Sequence, residues 1–268
     1  MSLVRSVLIT AAALSALSAC DSEATGDGGG GGHATSKPSS RPSAGAVMLV
    51  AEDAASVVWP ANGTKVFEVF DLVVGLPGAS VAGGIAVMPG GAPLAKGEAP
   101  ADGAQMFAPG KNSGEVRLPT GSQKVCIQVV DGAGKSMGPD WANQVTYDVV
   151  AAPAERSVHF IEPADGATVK SPFKIKFGVK GMGMSPAGEN ATDHTVGHHH
   201  VLIGHGPMTP SMVVPADPTH IHYGKAQTET EFGEITKPGT YELTMQFADA
   251  GHRSFGPRMA ATITVTVE

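Results

Sequence analysis

The feature that most restricts how this chain can fold is an internal duplication. Pro60-Ala61-Asn62-Gly63-Thr64-Lys65-Val66 parallels Pro163-Ala164-Asp165-Gly166-Ala167-Thr168-Val169. Asp131-Gly132-Ala133-Gly134-Lys135-Ser136-Met137-Gly138-Pro139 parallels Asp249-Ala250-Gly251-His252-Arg253-Ser254-Phe255-Gly256-Pro257, and between these anchors Pro100-Ala101-Asp102 echoes Pro215-Ala216-Asp217. Matched blocks in one order mean that a single unit occurs twice, over about Val47–Val150 and Ser157–Glu268. Each copy must therefore close its own core within roughly 100 residues.

Within a copy the pattern is that of short strands. Phe173-Lys174-Ile175-Lys176-Phe177-Gly178-Val179-Lys180 alternates apolar and lysine positions, as a strand with one buried face does. Tyr241, Leu243, Met245 and Phe247 keep the same period, as do Ile263, Val265 and Val267. With Ser157–Ile161, His198–Ile203, His220–Tyr223 and Thr228–Ile235 the second copy has about seven strands. An all-β chain of two tandem immunoglobulin-like sandwiches follows, spanning 46–152 and 153–268, with an up-and-down or jelly-roll arrangement as the alternative. The 35 glycines and 20 prolines fit such a turn-rich fold.

The N-terminus carries no fold information. Residues 1–19 read as an export signal, with Arg5 as the single charge and a short apolar run from Val7 to Leu17. Such a run is too short to span ~30 Å of hydrocarbon as a permanent helix. Leu17-Ser18-Ala19-Cys20 resembles the lipobox of bacterial lipoproteins, which implies cleavage before Cys20 and lipid on its sulfur. Asp21 resembles the signal that retains enteric lipoproteins at the inner membrane. Residues 20–45 are Gly-, Ser- and Pro-rich and read as a tether of ~25–30 Å r.m.s. reach. The expected location is a bacterial cell envelope, with the membrane as one partner through Cys20. With Cys20 acylated, Cys126 has no disulfide partner and reads as structural.

A formal net charge of −7 and the lack of any basic stripe argue against nucleic acid. The strong chemical signal is histidine: of ten in the chain, eight lie between His194 and His252. Aligning Pro93 with Pro207 sets Gly84, Ile85 and Ala86 opposite His198, His199 and His200, and Gly91 opposite His205. Gly134 stands where His252 is, and no histidine near Gln105–Ala108 matches His220 or His222. The fold does not need these side chains, because one copy does without them.

If Ile85 points inward, so does His199, leaving His198 and His200 together on the other face. His220 and His222 likewise share a face, with imidazoles ~6.5–7 Å apart at the backbone. Two such pairs on neighbouring strands can converge on one ion at ~2.0–2.1 Å. The expected metal ligands are His198, His200, His220, His222 and His252, with His199 and His205 as weaker candidates. His194 and His159 read as structural or exposed, and Asp217 as a turn residue. Imidazole suits zinc, copper, nickel and iron, so ligand type alone does not select among them, and copper or zinc is the expected ion; Met182, Met184, Met208 and Met212 around the cluster would favour Cu(I) if they reached the ion.

The segments Gly197–Ile203, His220–Glu229 and Leu243–Asp249, with His252 and Ser254, together resemble the bacterial family called domain of unknown function 4399. The resemblance covers the second copy and implies a small envelope β domain whose signature is the His triplet, His220-Ile221-His222 and His252. It brings no settled activity. Three function classes remain: a metal-binding module for capture, buffering or delivery; an interaction module for an envelope protein or glycan; and a metal-dependent enzyme, for which Glu229 and Asp249 are the available carboxylates. No nucleophile elbow, phosphate loop, Cys-x-x-Cys or haem-attachment motif occurs, so the expectation is not an enzyme.

Overall fold

The computed structural model describes residues 55–76 and 83–268. The expected signal, Cys20 and tether lie outside the described residues. In the first half the strands are β1 (Ser56–Trp59), β2 (Lys65–Phe67), β3 (Val69–Gly75), β4 (Ile85–Pro89), β5 (Gln105–Phe107), β6 (Ser113–Arg117), β7 (Gly121–Val129) and β8 (Ala142–Val150). In the second they are β9 (Ser157–Glu162), β10 (Ala167–Val169), β11 (Phe173–Lys180), β12 (Gly183–Met184), β13 (Val196–Ile203), β14 (His220–Tyr223), β15 (Glu229–Phe232), β16 (Gly239–Ala248) and β17 (Ala260–Val267).

Both halves use one topology. A three-stranded sheet, β1-β3-β6, packs on a five-stranded sheet, β2-β8-β7-β4-β5. The second half repeats this with β9-β11-β15 against β10-β17-β16-β13, where β12 and β14 both pair with β13. In each, a short early strand adds parallel to the last one, β2 on β8 and β10 on β17. This is an immunoglobulin-like sandwich, as the strand count predicted. The sequence reading missed β10 and β12, which are too short to show a period.

Alternation explains the cores. Phe70, Leu72 and Val74 meet Ile85, Val87, Ile127 and Tyr147 in the first half. Phe173, Ile175 and Phe177 meet Val201, Leu243, Met245 and Phe247 in the second. The outer faces of the larger sheets are also covered, since Ala86, Met88, Cys126 and Val130 are buried together beneath Leu94 and Ala104. Cys126 is therefore a buried apolar filler, its thiol pKa raised by burial, as its expected structural role requires.

The duplication persists down to single hydrogen bonds. Gln128 Nε2 donates to the Gly138 carbonyl at 2.9 Å while its Oε1 accepts from Leu94 N at 3.1 Å. Gln246 Nε2 donates to the Gly256 carbonyl at 3.1 Å and its Oε1 accepts from Met208 N at 3.0 Å. Each buried amide ties a long loop onto the sheet, satisfying backbone groups that would otherwise be buried without partners. Register then matches the halves: Ile85 pairs with Val129 and Phe107, as His199 pairs with Phe247 and Tyr223. Ala86 thus corresponds to His200, and Met106 to His222.

Candidate metal centre

His198 and His200 stand on β13, a strand with both faces covered, and neither is exposed to solvent. Strand β14 sets His222 directly opposite His200. His252 comes from the turn after β16, whose Asp249 carbonyl accepts the His252 N–H at 2.9 Å. One ligand atom from each of these four imidazoles lies within 4.8 Å of the others. His198 and His200 are buried while His222 is exposed and His252 half-buried, so an ion would enter from the His222–His252 side.

The shape of the group is informative. His198 Nε2 lies 3.0 Å from His200 Nε2 and 3.2 Å from His252 Nδ1. The edge of a tetrahedral site with Zn–N of 2.0–2.1 Å is about 3.3 Å. All six distances between the four ring centroids fall between 4.6 and 5.6 Å. In a square the diagonals exceed the sides by about 1.4-fold, whereas rings bound tetrahedrally at ~2.0 Å have centroids about 5.2 Å apart. The four ring centroids thus stand at the corners of a near-regular tetrahedron, and the residues fit a four-coordinate ion.

Neighbouring backbone makes room for this arrangement. Gly224 follows β14 where a side chain would face the site, and a Cβ there would overlap the His222 imidazole. The segment after β12 straps past the site, with Ser185 N donating to the Gly197 carbonyl, Ala187 N to Gly224, and Gly188 N to Ala250.

Three expected ligands, His220, His205 and His199, lie elsewhere. His220 faces the same way as His222 but pairs with Leu202, one pleat further along β13, so the two His-x-His pairs overlap at a single rung. Its Nδ1 donates to Asp217 Oδ1 at 2.9 Å, and its ring stacks on His205 with centroids 4.6 Å apart. His205 Nε2 contacts Thr219 Oγ1 at 3.1 Å. The hydrogen bond from His220, with those from Thr219, holds the Asp217 carboxyl well below the usual carboxylate range. Asp217 is the turn residue the sequence suggested, accepting from Thr219 N at 2.8 Å.

His199, the middle of the triplet, points into the core between Phe177 and Phe247, at 5.1 and 5.0 Å between centroids. Burial pushes its pKa down to about 4, so it is a neutral core side chain. Met182 and Met184 likewise pack on the second core and Met208 on Leu202 and Val214, so their sequence proximity to the cluster reflects packing.

Sequence reasoning passed over Trp59 and gave Asp249 another role. Asp249 Oδ1 accepts from Gly251 N at 2.9 Å and Arg253 N at 2.8 Å, while Oδ2 accepts from Trp59 Nε1 at 2.8 Å. The match of Asp249 to Asp131 in the duplicated block was the available signal for the turn; nothing in the sequence marked Trp59. Glu229 lies on the other sheet, paired with Lys174 at 3.1 Å.

Residues 175–268 match the family described as Domain of unknown function (DUF4399). No curated protein matches the chain. Among solved structures it is similar to the fibronectin(III)-like modules of Clostridium thermocellum CbhA, 10% identical, covering 80% of this chain and 92% of that one with a TM-score of 0.31. It is also similar to Bacteroides ovatus SGBP-B in complex with a mixed-linkage heptasaccharide, at 14% identity, 80% and 47% coverage and a TM-score of 0.19. The N-terminal four Ig domains of Dscam1 match at 10% identity over 82% of this chain and 47% of that one, with a TM-score of 0.23.

Proposed function

We propose that the second half captures and holds a transition-metal ion, zinc or copper, through His198, His200, His222 and His252, and that the chain is an envelope lipoprotein anchored through Cys20. The observation that carries the metal reading is the convergence of four imidazole donors within 4.8 Å, with ring centroids at near-equal spacing. Tetrahedral nitrogen sites suit Zn(II) and Cu(I) better than the square-planar preference of Cu(II) or Ni(II). Four protein ligands leave no open position of the kind catalytic zinc keeps, which favours capture, buffering or delivery over catalysis. Asp249, already engaged in its turn and with Trp59, and Glu229, on the far sheet, are poorly placed as general bases. Anchoring rests on the Leu17-Ser18-Ala19-Cys20 sequence; no helix among the described residues is long and apolar enough to cross a membrane.

Elemental analysis of protein purified from its native envelope, followed by zinc and Cu(I) titration of the demetallated chain, tests the metal reading. One tight equivalent per chain is expected, lost in the His198→Ala, His222→Ala double variant. Titration unchanged by that pair of substitutions overturns it. Affinity should fall as pH is lowered, because protons compete for imidazole lone pairs.

A further inference from the structure

Among the described residues the ligands of the site all come from the second half, yet one side chain of the first half reaches the turn that presents His252. We infer that Trp59 is a positioning residue for the metal centre, so that the first half sets the metal affinity of the second; this rests on the metal reading above.

His252 sits at φ +64, a left-handed conformation that is uncommon for a residue with a Cβ and that its surroundings here help to hold. The group that does so is Asp249, whose Oδ1 accepts from Gly251 N and Arg253 N on either side of His252. Asp249 is 6% exposed, and a buried carboxylate needs donors on both oxygens. Those for Oδ2 are the Trp59 indole N–H at 2.8 Å and, further off, His194 Nε2 at 3.4 Å. Trp59 is itself fixed, 4% exposed and packed against His194 and Phe255 with centroids at 4.9 and 5.7 Å.

The equivalent turn of the first half acts as an internal control. Asp131 Oδ1 accepts from Ala133 N and Lys135 N, both at 2.9 Å, and the left-handed residue between them is Gly134. Asp131 is exposed and solvated, with glycine at the left-handed position, so that turn stands without a tryptophan. The buried clamp accompanies the turn that must hold a histidine. Without the indole donor, Oδ2 would be left mostly unsatisfied, and turning the carboxylate toward water would release the two backbone donors that hold His252 in place.

The test is zinc titration of the full chain in three forms: unchanged, Trp59→Phe, and Lys65→Met. The last removes the Lys65–Asp193 ion pair, a contact between the halves that does not touch Asp249. Trp59→Phe keeps the aromatic packing and removes the N–H. It should weaken binding by about 10-fold or more, the scale of outer-shell partners of metal ligands, while Lys65→Met should change it less than about twofold. Equal binding by Trp59→Phe and the unchanged chain overturns the inference, and so does an equal loss in Lys65→Met, which would mark a general docking effect. No zinc binding by the unchanged chain would instead remove the metal reading itself. A second measurement needs no substitution: by reciprocity, zinc should slow hydrogen exchange at the Trp59 indole N–H, and an unchanged exchange rate counts against the proposal.

Discussion

His252 and Gly134 occupy the same position of the same turn, at φ +64 and +73, each three residues beyond an aspartate that holds the turn with one oxygen: Asp249 through Gly251 and Arg253, Asp131 through Ala133 and Lys135. Glycine meets no steric penalty there, whereas a side chain with a Cβ costs about 1 kcal/mol. Under the metal reading proposed above, the histidine in that conformation supplies a ring nitrogen that glycine cannot.

His252→Gly should therefore separate stability from binding. In the presence of chelator the variant should be as stable as the parent or up to about 1 kcal/mol more stable. It should also bind zinc much more weakly. Urea unfolding of the apo forms checks this, and a clearly destabilised variant would show that the imidazole serves packing.

The triplet offers a contrast between adjacent residues. His199→Ile restores what the first half has at Ile85, on the core side of the strand, and should leave metal stoichiometry and affinity unchanged. His200→Ala, one residue on, should remove binding. If His199→Ile abolished binding, the orientation of the triplet described above would be incorrect.

His194 predicts a pH dependence of folding. It is enclosed by Trp59, Phe255, Asp249 and Asp193, and burial pushes its pKa down to about 4 against the opposing pull of Asp249 and Asp193. Between the unfolded value of about 6.5 and about 4, the unfolded chain takes up a proton that the folded chain refuses. Stability contributed by the neutral ring is complete above about pH 6.5 and is lost as pH falls through that window, by on the order of 3 kcal/mol at most. Unfolding by urea at pH 7 and pH 4.5 should show a smaller difference for His194→Phe than for the parent chain. Equal differences would exclude the effect.

Local chemistry made much of this protein readable. A period of two depends only on neighbouring residues, so the strands, the inward His199 and the outward His198 and His200 followed from alternation, and the duplicated blocks showed that one strand topology occurs twice. Comparison of the two copies also separated side chains the sandwich needs from those it does not, without reference to any other protein.

What alternation could not supply was register between strands and the reach of turns. Whether His220 or His222 meets His200 depends on a one-pleat offset between β13 and β14, which is set by pairing across the sheet and not by either strand's own pattern. His252 reaches the site through a left-handed turn, and that turn is secured by a tryptophan 190 residues away in sequence. Such contacts are properties of packed elements: each partner satisfies local rules alone, and only the tertiary fold decides which donors and acceptors are buried together.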